Sequence, residues 1–241
     1  MGEMSRRDAL RAMGALGALA ASATFGSSVL SGVAHGAQPS APTMTPDQAL
    51  VRLAAGNRRF VNGRLRHPRR DDRRRSALAE GQAPFAAVLG CADSRVPPEI
   101  VYDEGLGNLF VARVAGNTTD DALVAGSLEY SVTQLGSVVI VVLGHEQCGA
   151  VKAAIDVATK GTQLPGDLPA VVAPILPVVE AAVAAGTPAD QLLDVVIKDN
   201  VKAAVAALNG NAALAPLISE GKLAIVGREY LLQSGKAVPV A

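Results

Sequence analysis

The chain has 241 residues, 49 % of them hydrophobic, so it is long enough for a sizeable core and too apolar to be disordered. Its 22 basic and 22 acidic residues cancel, which leaves no global field to attract nucleic acid or an anionic membrane. There is no Trp, so the core must be mainly aliphatic, and with two cysteines and three histidines each can be followed individually.

Residues 1–37 read as an export signal. Arg6-Arg7 forms a twin arginine, and after Arg11 no Asp, Glu, Lys or Arg occurs until Asp47. Ala12–Val33 is rich in Ala and Gly, and the small residues around Ala34 and Gly36 offer cleavage points. This pattern predicts a bacterial protein sent to the periplasm or secreted, with no stable membrane association after cleavage. An uncleaved anchor is the alternative, since the apolar stretch is long enough to span. Residues 38–44 form a linker, and a single domain is expected over 45–241.

Thr45-Pro46-Asp47-Gln48 reads as a capping box with Pro in the first turn. Leu50, Leu53, Ala54 and Phe60 then give an amphipathic helix ending near Gly63, without a neighbouring partner in sequence, which suggests an arm. Arg64–Arg75 holds seven arginines with His67, Asp71 and Asp72 among them. No aromatic residue interleaves this run, so a solvated or ion-paired surface is expected, not a nucleic-acid site.

Phe85–Leu89 is an unbroken apolar run, as in a strand buried on both faces, and it leads to Cys91, Asp93 and Arg95. A short helix is predicted over Pro97–Tyr102 and a second strand over Leu109–Val114. Thr119 is the expected cap of a helix reaching Leu135, with Gly136 as its stop. Ser137–Leu143 is the strongest buried-strand signal, and it runs into His145 and Cys148, followed by a helix over Ala150–Lys160. Beyond the loop Gly161–Pro169 come a helix interrupted by Pro174 and Pro177 and another from Thr187-Pro188 to about Leu208. A shorter helix near Ala212–Glu220, a strand over Leu223–Val226 and an extended tail after Ser234-Gly235 complete the chain. Strands alternating with helices imply an α/β fold with a mainly parallel sheet flanked by helices.

In such sheets ligands sit beyond the carboxyl ends of the strands, where Cys91, His145 and Cys148 are expected. Two thiolates and one imidazole make a three-ligand zinc set that leaves a fourth position for water. Asp93 has two open roles, as a fourth ligand or as a group held by Arg95 and aimed at that water. A Cys91–Cys148 disulfide stapling a non-catalytic exported domain is the bland alternative.

Cys91-Ala-Asp93-Ser-Arg95 and His145-Glu-Gln-Cys148-Gly149 resemble the two signature segments of the β-class carbonic anhydrases, and the likeness extends over roughly residues 45–235. The resemblance implies one zinc ion on Cys91, His145 and Cys148, an Asp93–Arg95 catalytic dyad, and reversible hydration of carbon dioxide to bicarbonate. It also implies a plant-type substrate pocket, with Gln82, Phe110 and Tyr130 at the matching positions, and a homodimer or higher assembly embraced by the N-terminal helix. Hydrolysis of carbonyl sulfide or carbon disulfide on the same ligands is the alternative chemistry. Two positions depart from the family: Glu146 stands where Ser or Thr is common, and Arg228-Glu229 where small residues are usual.

Overall fold

The computed structural model describes residues 44–240; the expected export signal and the expected linker up to residue 43 lie outside them. The first helix, α1 (Pro46–Val61), opens with the expected capping box: the Thr45 hydroxyl accepts from the Gln48 N–H, and the Gln48 side chain accepts from the Thr45 N–H. After α2 (Asp72–Ala77) comes β1 (Ala86–Cys91), buried at all six positions. Next are α3 (Pro98–Val101), β2 (Leu109–Val114) and α4 (Ala122–Thr133). The strand β3 (Val139–His145) is buried throughout, and it is followed by α5 (Gly149–Lys160), α6 (Leu168–Val172) and α7 (Leu176–Ala184). The chain ends with α8 (Leu192–Asn209), α9 (Ala215–Ser219), β4 (Ala224–Tyr230) and β5 (Ala237–Pro239).

The sheet order is β2-β1-β3-β4-β5, parallel except for β5, which runs antiparallel to β4. Because β1 and β3 lie side by side while the chain leaves β1 in one direction and β3 in the other, the order reverses between them. A crevice opens beyond their carboxyl ends at such a reversal. Alternation along the strands divides the core. Val88, Val141 and Leu143 face Ala49 and Leu53 of α1, whereas Leu89, Ile140 and Val142 face Leu128 of α4 and Val201 and Leu208 of α8. Cys91 and Cys148 belong to a third cluster with Val151, Ile175 and Val196.

Several local expectations are corrected. Asp121, not Thr119, caps α4, its carboxylate accepting from the Leu123 N–H at 2.7 Å; a carboxylate is the stronger cap and also suits the helix dipole. The proline-interrupted helix is two helices, with Pro169 and Pro177 in their first turns and buried Ile175 between them. Thr187-Pro188 does not start α8: Gln191 N–H bonds to Pro188 C=O in a turn, and the helix begins at Leu192. β4 continues past Val226 through Arg228, Glu229 and Tyr230, because these residues pair with Leu143, Gly144 and His145 of β3. The tail is the strand β5, which covers the edge of β4.

α1 packs on its own domain. At Gly56 the helix approaches so closely that an added Cβ would lie 1.8 Å from the Tyr102 carbonyl oxygen. The arginine run is partly a clamp: Arg66 and His67 donate backbone N–H groups to buried Asp103, which also pairs with Arg59, and Arg70 donates to the Glu104 carbonyl. His67 itself is exposed.

Candidate metal centre

β1 delivers Cys91 as its last residue and β3 delivers His145 as its last residue, both at the point where the sheet order reverses. Three residues after His145 the chain turns, with Gln147 at φ +56°, and places Cys148 at the N-terminus of α5. A helix N-terminus favours the thiolate form of such a cysteine. Cys91, His145 and Cys148 are all buried, and one sulfur, nitrogen or sulfur atom from each lies within 4.8 Å of the other two.

The imidazole is oriented by its neighbour. His145 Nδ1–H donates to the Glu146 carbonyl at 2.8 Å, which leaves Nε2 with its lone pair directed inward. That Nε2 is buried and has no hydrogen-bond partner among the described residues. A buried nitrogen beside two buried thiols is costly to leave unmatched, and a metal ion that accepts all three donors removes the cost. Both cysteines are free, so the disulfide staple is not formed.

Cys91 Sγ accepts a hydrogen bond from the Gly116 N–H at 3.4 Å. Gly116 has φ +82°, and an added Cβ would sit 2.7 Å from the Ile175 side chain, so glycine is required there. Its carbonyl accepts from the Asn200 side chain at 2.7 Å, which ties the loop to α8. Hydrogen bonding to Cys148 holds the Cys91 thiol well below the ordinary thiol range; burial opposes this, while His145 and the Gly116 N–H add to it. The Cys148 thiol is pushed up by the same bond to Cys91 and by burial, which outweigh the lowering pull of the Val151 and Ala150 N–H groups at the start of α5. For His145, burial disfavours the charged ring, but Cys91 outweighs it and the net direction is upward.

Asp93 pairs with Arg95. Arg95 Nε donates to Oδ1 at 2.9 Å and Nη2 to Oδ2 at 2.7 Å, a two-pronged guanidinium–carboxylate contact, and the Arg95 backbone N–H adds a third bond at 2.9 Å. These bonds hold the Asp93 carboxyl well below the usual carboxylate range. Asp93 Oδ2 also lies 4.0 Å from His145 Nε2, so the carboxylate borders the ligand cluster while remaining locked to Arg95. Arg113 of β2 donates to the backbone carbonyls of Cys91, at 2.8 Å, and of Asp93, fixing the loop that carries the pair. Glu146 turns away from this centre: its carboxylate accepts from the Leu232 N–H at 2.8 Å.

The other expected site residues are placed elsewhere on the chain. Phe110 and Tyr130 come together, their ring centroids 6.4 Å apart. Phe110 pairs with Ala87, four residues before Cys91, which is about 13 Å along the strand. Gln82 precedes β1 and borders a surface cavity of about 650 Å³ with Arg75, Leu78 and Leu106. Thus the carboxyl end of the sheet holds the ligand cluster, and these three side chains lie toward the amino end. Sequence pattern does not mark Gly116, Asn200 or Arg113 as site residues. Only Gly116 carried a local signal, at the end of a strand in Ala115-Gly116-Asn117.

The family model described as carbonic anhydrase matches residues 86–237. The chain belongs to that family. Carbonic anhydrase 2 of Mycobacterium tuberculosis is 43 % identical over 198 residues, covering 82 % of this chain and 94 % of the relative. The carbonic anhydrase of Mycolicibacterium smegmatis is 40 % identical over 196 residues, covering 81 % and 93 %. Among solved structures, the Coccomyxa β-carbonic anhydrase in complex with acetazolamide aligns with a TM-score of 0.62 at 30 % identity, over 68 % of this chain and 75 % of that one. A tetrameric β-carbonic anhydrase of Sordaria macrospora aligns with a TM-score of 0.63 at 26 % identity, over 69 % and 85 %. The fold is therefore that of the β-class carbonic anhydrases. The matched span includes Cys91, Asp93, Arg95, His145 and Cys148 and begins after Gln82.

Proposed function

We propose that Cys91, His145 and Cys148 hold one zinc ion per chain and that Asp93 and Arg95 act beside it as the catalytic dyad. The reaction is the reversible hydration of carbon dioxide to bicarbonate and a proton. The observation that carries this reading is the buried, unpartnered His145 Nε2 facing two buried thiols, with the Arg95-locked carboxylate of Asp93 at its edge. Sulfur and imidazole donors suit zinc, and two thiolates balance its charge. Zinc, when bound, acidifies a coordinated water enough for it to ionise near neutral pH, as in carbonic anhydrases that hold the metal on three histidines.

The protein's own groups then do the positioning. Asp93 stays ionised at working pH, because its pairing with Arg95 disfavours protonation. Its free acceptor capacity receives the O–H of the attacking water and turns the lone pair toward carbon. Arg95 keeps the carboxylate from rotating, and Arg113 keeps the loop from drifting.

Gln82, Phe110 and Tyr130 form the substrate wall of a neighbouring subunit's site. Their position away from their own chain's cluster supports this, as does the tetrameric assembly of the Sordaria relative. The protein is accordingly a homo-oligomer. The twin arginine at Arg6-Arg7 supports export to the periplasm or beyond. No helix among the described residues is long and apolar enough to cross a membrane.

The test is Cys91→Ser in the full chain, with zinc analysis and a stopped-flow assay of carbon dioxide hydration. Loss of both metal and activity is expected. A variant that keeps stoichiometric zinc and the full hydration rate overturns the assignment. Running carbonyl sulfide beside carbon dioxide on the wild type separates the two substrates.

A further inference from the structure

A second set of polar groups lies on the opposite side of the sheet edge and takes no part in the reaction above. Arg228 stands on β4 opposite Leu143, so its side chain falls on the α1 face, while Glu229 falls on the α8 face. Together with Leu50, Leu53, Tyr102 and Val141 it lines a cavity of about 290 Å³, with Pro239 of β5 at the exposed rim. No carboxylate of the described residues lies within ion-pair reach of Arg228. The Tyr102 side chain is 3 % exposed, and its buried hydroxyl has no hydrogen-bond partner there.

These two groups are unlike the third polar residue of the cavity. Asn57 is fully engaged: its amide donates to the Val101 and Gly235 carbonyls, and its oxygen accepts from the Ala237 N–H. That leaves a guanidinium and a phenol as spare donors. Burial raises the Tyr102 pKa, so the phenol keeps its proton and remains a donor. No acidic side chain lines the space. The half-buried Arg228 guanidinium is without a carboxylate partner, and beside it the buried Tyr102 hydroxyl is costly to leave unmatched unless something supplies an acceptor.

We propose that this cavity binds a small aliphatic monocarboxylate, its carboxylate held by Arg228 and Tyr102 and its tail packed against Leu50, Leu53 and Val141. The planar guanidinium fork matches a carboxylate, and the walls facing it are aliphatic. At about 30 Å³ per non-hydrogen atom, the volume liquid water takes, the space holds roughly eight to ten such atoms. Bicarbonate is too small to fill it and has no tail to meet the walls. The bound acid joins α1 to β3 and β4, so it stabilises the seating of the N-terminal helix.

The experiment is a calorimetric titration of the zinc-loaded full chain with hexanoate, with melting temperature followed in parallel. One saturable site per chain is expected, together with an upward shift in melting temperature. Arg228→Gln is expected to weaken binding about tenfold or more, and Tyr102→Phe to weaken it severalfold, since each removes one donor to a charged acceptor. Tyr102→Phe removes only an unpartnered hydroxyl, so it tests the site without a folding penalty. Hexanoate coordinated at the zinc would be insensitive to both substitutions. No saturable binding by the wild type at millimolar hexanoate, unchanged affinity in the two variants, or equal binding of hexanoate and bicarbonate would each overturn the proposal.

Discussion

Gly116 gives the sharpest test of how the metal centre is supported. Its N–H donates to Cys91 Sγ, its φ of +82° is left-handed, and an added Cβ would lie 2.7 Å from Ile175 and 3.3 Å from Ala150. Gly116→Ala therefore meets two costs. A left-handed conformation in a residue with a Cβ costs about 1–2 kcal/mol. Pressing a methyl against Ile175, which is fully buried, costs about 1–3 kcal/mol more. The total of roughly 2–5 kcal/mol is centred above what the Gly116 N–H contributes to a thiolate, about 1.5–3 kcal/mol. The loop is therefore expected to move before the clash is tolerated, and the N–H to leave Cys91. Two readouts should shift together: a lower urea midpoint, and a zinc affinity reduced about 10- to 100-fold in competition with a chelator. If the variant binds zinc as tightly as the wild type and unfolds at the same midpoint, the argument that this glycine supports the thiolate is wrong.

Replacing Arg95 by Met removes both prongs from the Asp93 carboxylate but leaves the backbone bond. Zinc content should be unchanged, with kcat/KM for carbon dioxide hydration down about 10- to 100-fold; a fully active variant would remove Arg95 from the dyad. Asp103 tests the clamp on α1. Burial opposes its charge, but Arg59 and the Arg66 and His67 N–H groups outweigh it, so its folded pKa lies below the usual carboxylate value. A depressed folded pKa contributes stability that is complete above the unfolded pKa of about 3.9 and is lost as pH falls through the folded value. Asp103→Asn is accordingly expected to cost about 2–3 kcal/mol near neutral pH, below the figure for a fully buried pair because Arg59 is 22 % exposed. Urea titrations should show the gap between wild type and variant closing in acid. A gap that is absent at neutral pH, or that widens below pH 4, contradicts the assignment.

The parts of the molecule that follow from local pattern were legible in the chain itself. Apolar runs without interruption marked β1 and β3, and the Thr45–Gln48 spacing marked the start of α1. The ligand cluster was legible for the same reason, because two strand ends in a parallel sheet converge wherever the strands are neighbours. What escaped notice depends on contacts across long stretches of chain. Asn200 reaches Gly116 over 84 residues and Asn57 reaches Gly235 over 178. β4 looked short because Arg228 and Glu229 ended the apolar pattern, yet β3 on one side and β5 on the other supply its hydrogen bonds whatever the side chains. The sign of an element's side chains predicts a strand only when burial, and not pairing, decides it.

The question of Asp93 shows where spacing stops and geometry takes over. A carboxylate two residues after a ligand can reach a metal or an arginine two residues further on, and sequence distance does not separate these. The separation comes from the turn after β1. Arg95 N–H closes onto Asp93 Oδ1, Val96 N–H bonds to Asp93 C=O, and Arg113 holds that same carbonyl from β2. With the backbone pinned from both sides, the carboxylate faces the guanidinium. Its Oδ2 still borders His145 Nε2 at 4.0 Å, near enough to receive a hydrogen bond from a water in the centre. The turn thus decides the pairing with Arg95, which keeps the carboxylate ionised and its direction constant beside the cluster of Cys91, His145 and Cys148.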